Sequence, residues 1–350
     1  MKIKELTSFL ETIAPSSYQE SYDNSGLIVG NPNDEINGVL ICLDSTESII
    51  DEAINKKCNV VVAHHPIVFQ GLKRFNGKHY VERVVMKAIK NDIAIYAIHT
   101  NLDNVYSKGV NAKIAQKLGL INTQILAPKS GLKKIFTFVP TEYSEKVRAA
   151  LFAAGAGDLP KFENLSYATV GVGTHNQNGG AQVKLEFTFP SVKQNAIIKA
   201  LQNSHPYFDV PYDIISIENK NSEVGSGMIG FLKTPTNEKE FLQKIKKQMK
   251  AGCVRYTKLR RKKISKVAVC GGSGGFLLKD AIRQGADIFI TSDYKYHEFF
   301  DADEKIVIAD IGHYESEQYT IELLYDIITE KFSNFAAYFT EINTNPVNYL

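Results

Sequence analysis

The segment Val60-Val61-Val62-Ala63-His64-His65-Pro66 decides how this 350-residue chain is read. Small and β-branched apolar residues that stop at a proline predict a short strand buried on both faces, of the kind found in the middle of a parallel sheet. Open α/β sheets collect their chemistry at the C-terminal ends of such strands, and this one ends in two adjacent imidazoles. Neighbours on an extended strand point to opposite faces. His64 and His65 therefore share one ligand direction only if the chain turns there, or else two ions sit side by side.

Upstream, residues 39–44 read as a strand ending on Asp44. Ser45-Thr46-Glu47-Ser48 then supplies N-cap chemistry for a helix reaching Lys57, which closes a βαβ unit on the histidine strand. Before it, Ile3, Leu6, Phe9, Leu10 and Ile13 have helical spacing. Downstream, 81–90 is helical in period and 93–98 is another buried strand, running into His99-Thr100-Asn101-Leu102-Asp103. Asp103 and the histidine pair thus fall on one rim of one sheet.

The second half repeats the pattern. A shift of 228 positions brings Cys42 onto Cys270, Ala53-Ile54 onto Ala281-Ile282 and Val60-Val61-Val62 onto Ile288-Phe289-Ile290, without a gap. The histidine pair then falls on Ser292-Asp293, so the sequence suggests an internal duplication, two similar α/β lobes. Residues 305–310 form a further strand, and Gly312-His313-Tyr314-Glu315-Ser316-Glu317 opens a helix continuing through Leu323, Leu324 and Ile327. His313 and Glu317, four apart, stack on one helical face and can address one ion. Gly271-Gly272-Ser273-Gly274-Gly275 stands between strand and helix, either as an anion-binding loop or as a tight turn; it has no Walker lysine.

Between the lobes the pattern changes. Strand at 132–139, helix at 143–154, strands at 167–172 and 183–189, helix at 192–202 and strand at 212–217 give the order βαββαβ of a ferredoxin-like unit. The expected domains are 1–128, an inserted 129–230, and 231–350.

Composition is that of a soluble globular protein, with 44% hydrophobic and 23% charged residues and a formal net charge of +3. Only Lys258-Leu259-Arg260-Arg261-Lys262-Lys263 is a dense basic run, and it reads as a solvated loop. The near-neutral balance argues against a nucleic-acid partner, because phosphate contacts need clustered Lys and Arg. Cys42, Cys58, Cys253 and Cys270 lack CxxC spacing and read as reduced thiols, and no stretch resembles a signal peptide or a membrane span. The expectation is a cytoplasmic protein with no membrane partner.

Strand and helix ends thus present His64, His65, Asp103, His313 and Glu317. Imidazole with carboxylate suits zinc, iron or manganese, and five such ligands exceed what one tetrahedral ion requires; two neighbouring divalent ions would use them all. The plainer alternative is that the histidine pair caps a strand, Asp103 anchors a turn, and His313 with Glu317 is a surface pair. His99 reads either as an orienting or proton-shuttling group or as a strand-end histidine. His297, beyond the repeated strand, reads either as an acid/base or as a loop residue.

Taken together, Tyr22-Asp23-Asn24-Ser25-Gly26-Leu27-Ile28-Val29-Gly30, Ala63-His64-His65-Pro66, His99-Thr100-Asn101-Leu102-Asp103, Cys270-Gly271-Gly272-Ser273-Gly274 and Gly312-His313 with Glu317 resemble, in order, the NIF-three-like family of dinuclear-metal-centre proteins, the GTP cyclohydrolase I type 2 homologues. The resemblance implies a homo-hexameric ring with two divalent ions per subunit, His65 and Asp103 on one, His64 and His313 on the other, and Glu317 between them. It also implies that the insert is PII/CutA-like. There Ser204-His205-Pro206-Tyr207-Phe208 resembles a family segment but carries Phe208 where an acid is usual. The leading expectation is metal-dependent hydrolysis by an activated water, with His297 or His99 moving the proton, and the family name points to a nucleotide or related small molecule as substrate. The alternative is a non-catalytic metal-binding regulatory or scaffold ring.

Overall fold

The computed structural model describes residues 1–175 and 178–350. The chain forms two compact units, residues 1–127 with 224–350, and residues 128–223. In chain order the larger unit begins with α1 (Ile3–Ile13), β1 (Gly26–Val29), β2 (Val39–Cys42), α2 (Glu47–Asn55), β3 (Val60–Ala63), α3 (Tyr80–Lys90), β4 (Ala94–Ala97), α4 (Thr100–Asp103), α5 (Val110–Leu118) and β5 (Leu120–Lys129). The smaller unit holds β6 (Leu132–Pro140), α6 (Ser144–Ala153), β7 (Ser166–His175), β8 (Asn178–Pro190), α7 (Gln194–Ser204) and β9 (Tyr212–Ser216). The chain then returns through β10 (Asn221–Asn237), α8 (Glu238–Gln248), β11 (Arg255–Tyr256), β12 (Lys263–Val269), α9 (Leu278–Arg283), β13 (Ile288–Thr291), β14 (Val307–Asp310), α10 (His313–Glu317), α11 (Thr320–Lys331) and β15 (Ala337–Phe339).

The larger unit contains two sheets, ordered β1-β4-β3-β2-β15 and β11-β14-β13-β12-β10-β5. In the first, β2, β3 and β4 are parallel neighbours, Val61 pairing with Leu40 and Ile95, and β1 lies antiparallel on β4. In the second, β12, β13 and β14 are parallel neighbours and β11 lies antiparallel on β14. Side-chain alternation splits each strand between two cores. Val60 and Val62 share one core with Val267, Val269, Ile288 and Ile290 of the other sheet and with α1, α5, α8 and α11. Val61 and Ala63 face α2 and α3 instead. Burial on both faces is why these strands are continuously apolar.

In the smaller unit an antiparallel sheet, ordered β7-β8-β6-β9, packs Ile135, Leu185, Phe187 and Phe189 against Val147, Leu151, Ile197 and Leu201 of α6 and α7. The Gly/Asn stretch beginning at Gly171 includes residues 176 and 177, which lie outside the described residues. Among the described residues no helix is long and apolar enough to cross a membrane.

One expected element differs. The helix opening at Gly312 is broken into α10 and α11, because Gln318 donates to the Met249 carbonyl at 2.8 Å and Tyr319 to the Gln248 carbonyl at 2.6 Å. These tertiary bonds hold the two residues at the break, where sequence shows no proline or glycine. The polar segment after His99 is a short helix, α4, and the His99 N–H donates to Asn101 Oδ1 at 2.9 Å as the turn starts.

Candidate metal centre

His64 and His65 leave β3 with their backbone still paired, their N–H groups donating to the Cys42 and Leu43 carbonyls at 3.2 and 2.9 Å. Pro66, without an N–H, ends the ladder. The two rings then take separate roles. His64 is wholly buried, and its Nδ1 lies 2.8 Å from the Ile98 carbonyl. A carbonyl only accepts, so Nδ1 carries the proton and Nε2 presents a lone pair. That nitrogen faces Asp103 Oδ1 at 3.6 Å, and both atoms are sealed from solvent with no hydrogen-bond partner among the described residues.

His65 Nδ1 donates to Asp44 Oδ1 at 2.7 Å, and its Nε2 lies 2.9 Å from Glu317 Oε2. From the other half, His313 repeats this arrangement: Nδ1 is 2.7 Å from Asp293 Oδ2, and Nε2 is 3.1 Å from the same Glu317 oxygen and 3.4 Å from His65 Nε2. His99 Nδ1 meets Asp23 Oδ1 at 2.8 Å, while the other Asp23 oxygen accepts from Thr100 and Ser25. Each imidazole therefore has one nitrogen fixed by an oxygen acceptor, the arrangement that orients histidine ligands around a metal.

Two glycines make the approach possible. A Cβ on Gly272, where φ is +62°, would lie 2.4 Å from Glu317 Oε1, so only glycine lets the second sheet back this carboxylate. Gly312, at φ +92°, starts α10 where a Cβ would lie 2.2 Å from Glu315 Oε2.

The electrostatics reflect crowded charge. Burial works against the ionised form of His65, yet hydrogen bonds to Asp44 and Glu317 lift its pKa to about 9. Burial opposes His313 likewise, and Glu317 with Asp293 raises it to about 11. Burial, with the Glu317 charge beside it, pushes Asp103 up to about 7. For Glu317 burial alone would raise the carboxyl, but His313, His64 and His65 hold it well below the usual carboxylate range. In the metal-free protein, protons supply the positive charge these carboxylates demand.

His65, His99, Asp103, His313 and Glu317 line a cavity of about 830 Å³ whose wall also includes Phe69, Arg255, Tyr314 and the C-terminal residues Thr344 and Tyr349, while His64 is buried. A family model described as Duf34/NIF3 (NGG1p interacting factor 3) matches residues 1–346. The chain belongs to the Duf34/NIF3 family. It is 35% identical to a Bacillus subtilis protein named GTP cyclohydrolase 1 type 2 homolog, over 99% of this chain and 98% of that one. A crystal structure of a Bacillus cereus protein related to NIF3 superimposes with a TM-score of 0.88 at 34% identity, covering 100% of this chain and 99% of the other. A Staphylococcus aureus protein gives 0.83 at 30% identity, with coverage of 100% and 99%.

Within this Duf34/NIF3 chain the five expected ligand residues converge. Three groups have ligand atoms within 4.8 Å of one another: His65 with His313 and Glu317, His64 with Asp103 and Glu317, and His64 with His65 and His99. In this geometry His64 Nε2 lies 3.6 Å from Asp103 Oδ1 and His65 Nε2 lies 3.4 Å from that of His313, whereas the resemblance implied His65 with Asp103 and His64 with His313. Successive residues on a strand diverge, so His64 stays on its own sheet's side while His65 reaches across to α10. His99 lines the cavity, whereas His297 is exposed, edge-on to Tyr296 at 5.2 Å, and is not among the cavity's lining residues. Its helical turn, Tyr296–Ala302, places it apart from the other candidate groups. The Gly271–Gly275 segment is a packing turn rather than an anion cradle. Its Gly271, Gly272 and Gly274 N–H groups are spent on Asn111, Ser316 and Thr291. Sequence reading missed Asp23, Asp44 and Asp293 as orienting acids, although each lies at the edge of a recognised motif.

Proposed function

We propose that this protein is a dinuclear divalent-metal hydrolase acting on a nucleotide or related small molecule. One ion would be held by His64 and Asp103, the other by His65 and His313, with Glu317 shared between them. The observation that carries the reading is the facing pair of His64 Nε2 and Asp103 Oδ1. Two buried ligand atoms 3.6 Å apart, neither of them hydrogen-bonded among the described residues, are costly unless a cation fills the gap. The donor set of imidazoles and carboxylates suits zinc, iron or manganese.

Bound, the ions would supply Lewis acidity and bring a water's pKa toward neutrality. The chain's own residues do the rest. Asp44 and Asp293 fix the Nδ1 atoms of His65 and His313, so that both Nε2 atoms face Glu317. Asp23 holds Nδ1 of His99, leaving its Nε2 to take and return a proton at the cavity wall. Phe69, Tyr314 and Tyr349 offer flat apolar surface for a ring. The Bacillus subtilis relative's name points to GTP as the first substrate to try.

The same proposal includes a homo-hexameric ring and a cytoplasmic location, the latter supported by four free cysteines. It also takes residues 128–223 as a ferredoxin-like, PII/CutA-like insert, on their βαββαβ order and antiparallel β7-β8-β6-β9 sheet.

The test is elemental analysis of purified protein beside a hydrolysis screen on GTP, other nucleotides and phosphoesters, with and without chelator. The expected result is metal bound near two ions per chain and turnover that stops on chelation. Metal-loaded protein that turns over nothing would replace the hydrolase with the scaffold ring, and absence of metal would overturn both.

A further inference from the structure

After β15, which pairs in parallel with β2, residues 340–350 run to the cavity and form part of its wall. The segment is tied down throughout. Thr340 donates to Glu52, the Glu341 N–H donates to Glu52 Oε1 at 2.8 Å, and Asn345 Nδ2 donates to Glu315 Oε1 at 3.1 Å. Tyr349 lies against Gly252 and Gly312, where added Cβ atoms would come within 2.2 and 2.7 Å of it.

One of these ties reaches the candidate metal centre. The Thr344 hydroxyl donates to Asp44 Oδ2 at 2.6 Å, while the other Asp44 oxygen takes the Nδ1 proton of His65. We infer that Thr344 is a positioning residue of the metal centre, acting through Asp44 to aim His65 Nε2 at the ion it shares with His313. The inference rests on the metal reading above. With both oxygens engaged, the carboxylate plane is set and so is the imidazole that hangs on it. Asp44 is a third exposed, so without the threonine it is free to turn toward water. Asp23 differs: its oxygens are engaged by neighbours close in the chain and by Thr100, and it needs nothing from the C-terminal segment.

The experiment compares full-length wild type with Thr344→Val, which deletes the hydroxyl, Thr344→Ser, which keeps it, and Asp44→Asn. Zinc affinity is measured by chelator competition, and the His65 Nδ1 proton is followed by NMR in metal-free protein. Thr344→Val should weaken one of two zinc sites about tenfold, the lower end of what losing a supporting group costs. Thr344→Ser should restore it, and adding Thr344→Val to Asp44→Asn should cost nothing more. Wild-type affinity at both sites in Thr344→Val would overturn the inference. If wild type takes up no zinc, the metal reading fails, and the positioning claim is judged on the proton alone. Faster exchange in Thr344→Val, reversed in Thr344→Ser, supports it; unchanged exchange overturns it. Should Thr344→Val not fold, Asp44→Asn provides the same readouts from the other end of the bond.

Discussion

The two halves of the larger unit are built alike and equipped differently. In each, three parallel strands lie side by side with a short antiparallel strand on the third: β2, β3, β4 and β1 in one, β12, β13, β14 and β11 in the other. After the middle strand the first half places His64 and His65, and the second places Ser292 and Asp293. After the third strand they place Asp103, and His313 with Glu317. The position that holds a candidate ligand in one half holds an orienting acid in the other, since Asp293 fixes His313. Ser292 has become a packing group, donating to the Gly272 carbonyl at 2.7 Å. Like strand ends on like sheets thus supply complementary parts of one centre.

The harshest way to break this comparison is to remove the residue on which both halves converge. Glu317→Ala should abolish uptake at both positions, taking metal content from about two ions per chain toward zero. It should also strip the wild type of the stabilisation metal gives, roughly 10 °C in melting temperature at saturating metal. Elemental analysis and calorimetry read both. Retention of one ion would mean that Glu317 serves a single position.

A finer cut separates the pairings. Asp44 and Asp293 sit in different halves but hold His65 and His313, which share a group. Asp44→Asn and Asp293→Asn should each weaken the same ion, about 10- to 100-fold, and leave the ion of His64 and Asp103 alone. The pairing implied by family resemblance would have them weaken different ions. Titration of each variant with zinc, with His64→Ala as the reference for the other position, tells the two apart.

That grouping lay beyond what the sequence could disclose. His64 and His65 stood out because they end a strand that is apolar without interruption, Asp103 because it lies past another such strand on the same rim, and His313 with Glu317 because their spacing of four stacks them on one helical face. The orienting acids were not legible, because an aspartate in a turn near Ser, Thr or Asn is common chemistry and only the fold reveals which imidazole it meets. Asp44 and Thr344 are 300 positions apart. His297 shows the opposite limit. Its place after the repeated strand was right in register, but a turn of helix intervenes and points it at solvent. The break between α10 and α11 depends on carbonyls of Gln248 and Met249, which no local pattern near Gln318 announces.

Gly272 and Gly275 sharpen the comparison within the second half's turn. Gly272→Ala combines a left-handed backbone with a Cβ 2.4 Å from a buried carboxylate oxygen that cannot retreat. It should cost about 1–3 kcal/mol, a melting shift of roughly 5 °C, and weaken metal binding as Glu317 is displaced. Gly275→Ala, whose nearest neighbours stand at 3.9–4.0 Å and whose φ is unremarkable, should do neither. Equal effects from the two would remove the reason given for a glycine behind Glu317.

The gentlest test uses pH on metal-free protein. His65 titrates at about 9 in the fold against 6.5 for an ordinary histidine, so between those values the native state holds a proton that the unfolded chain releases. Its contribution is therefore complete below about 6.5 and is lost as pH rises through about 9. His313, raised to about 11, and Asp103, raised to about 7, act in the same sense. Asp23 runs the other way: hydrogen bonds from His99 and Thr100 outweigh burial and hold its carboxyl far below the usual range, so its contribution is lost only in acid. Calorimetry of chelator-treated protein between pH of about 6 and about 9.5 should accordingly show melting temperature falling by a few degrees. Glu317→Gln should reduce that slope, because the charge that His65, His313 and Asp103 share is gone while Asp44, Asp293 and burial still act. A slope unchanged by the substitution would place the titrating groups elsewhere and separate the charge of this cluster from the stability of the fold around it.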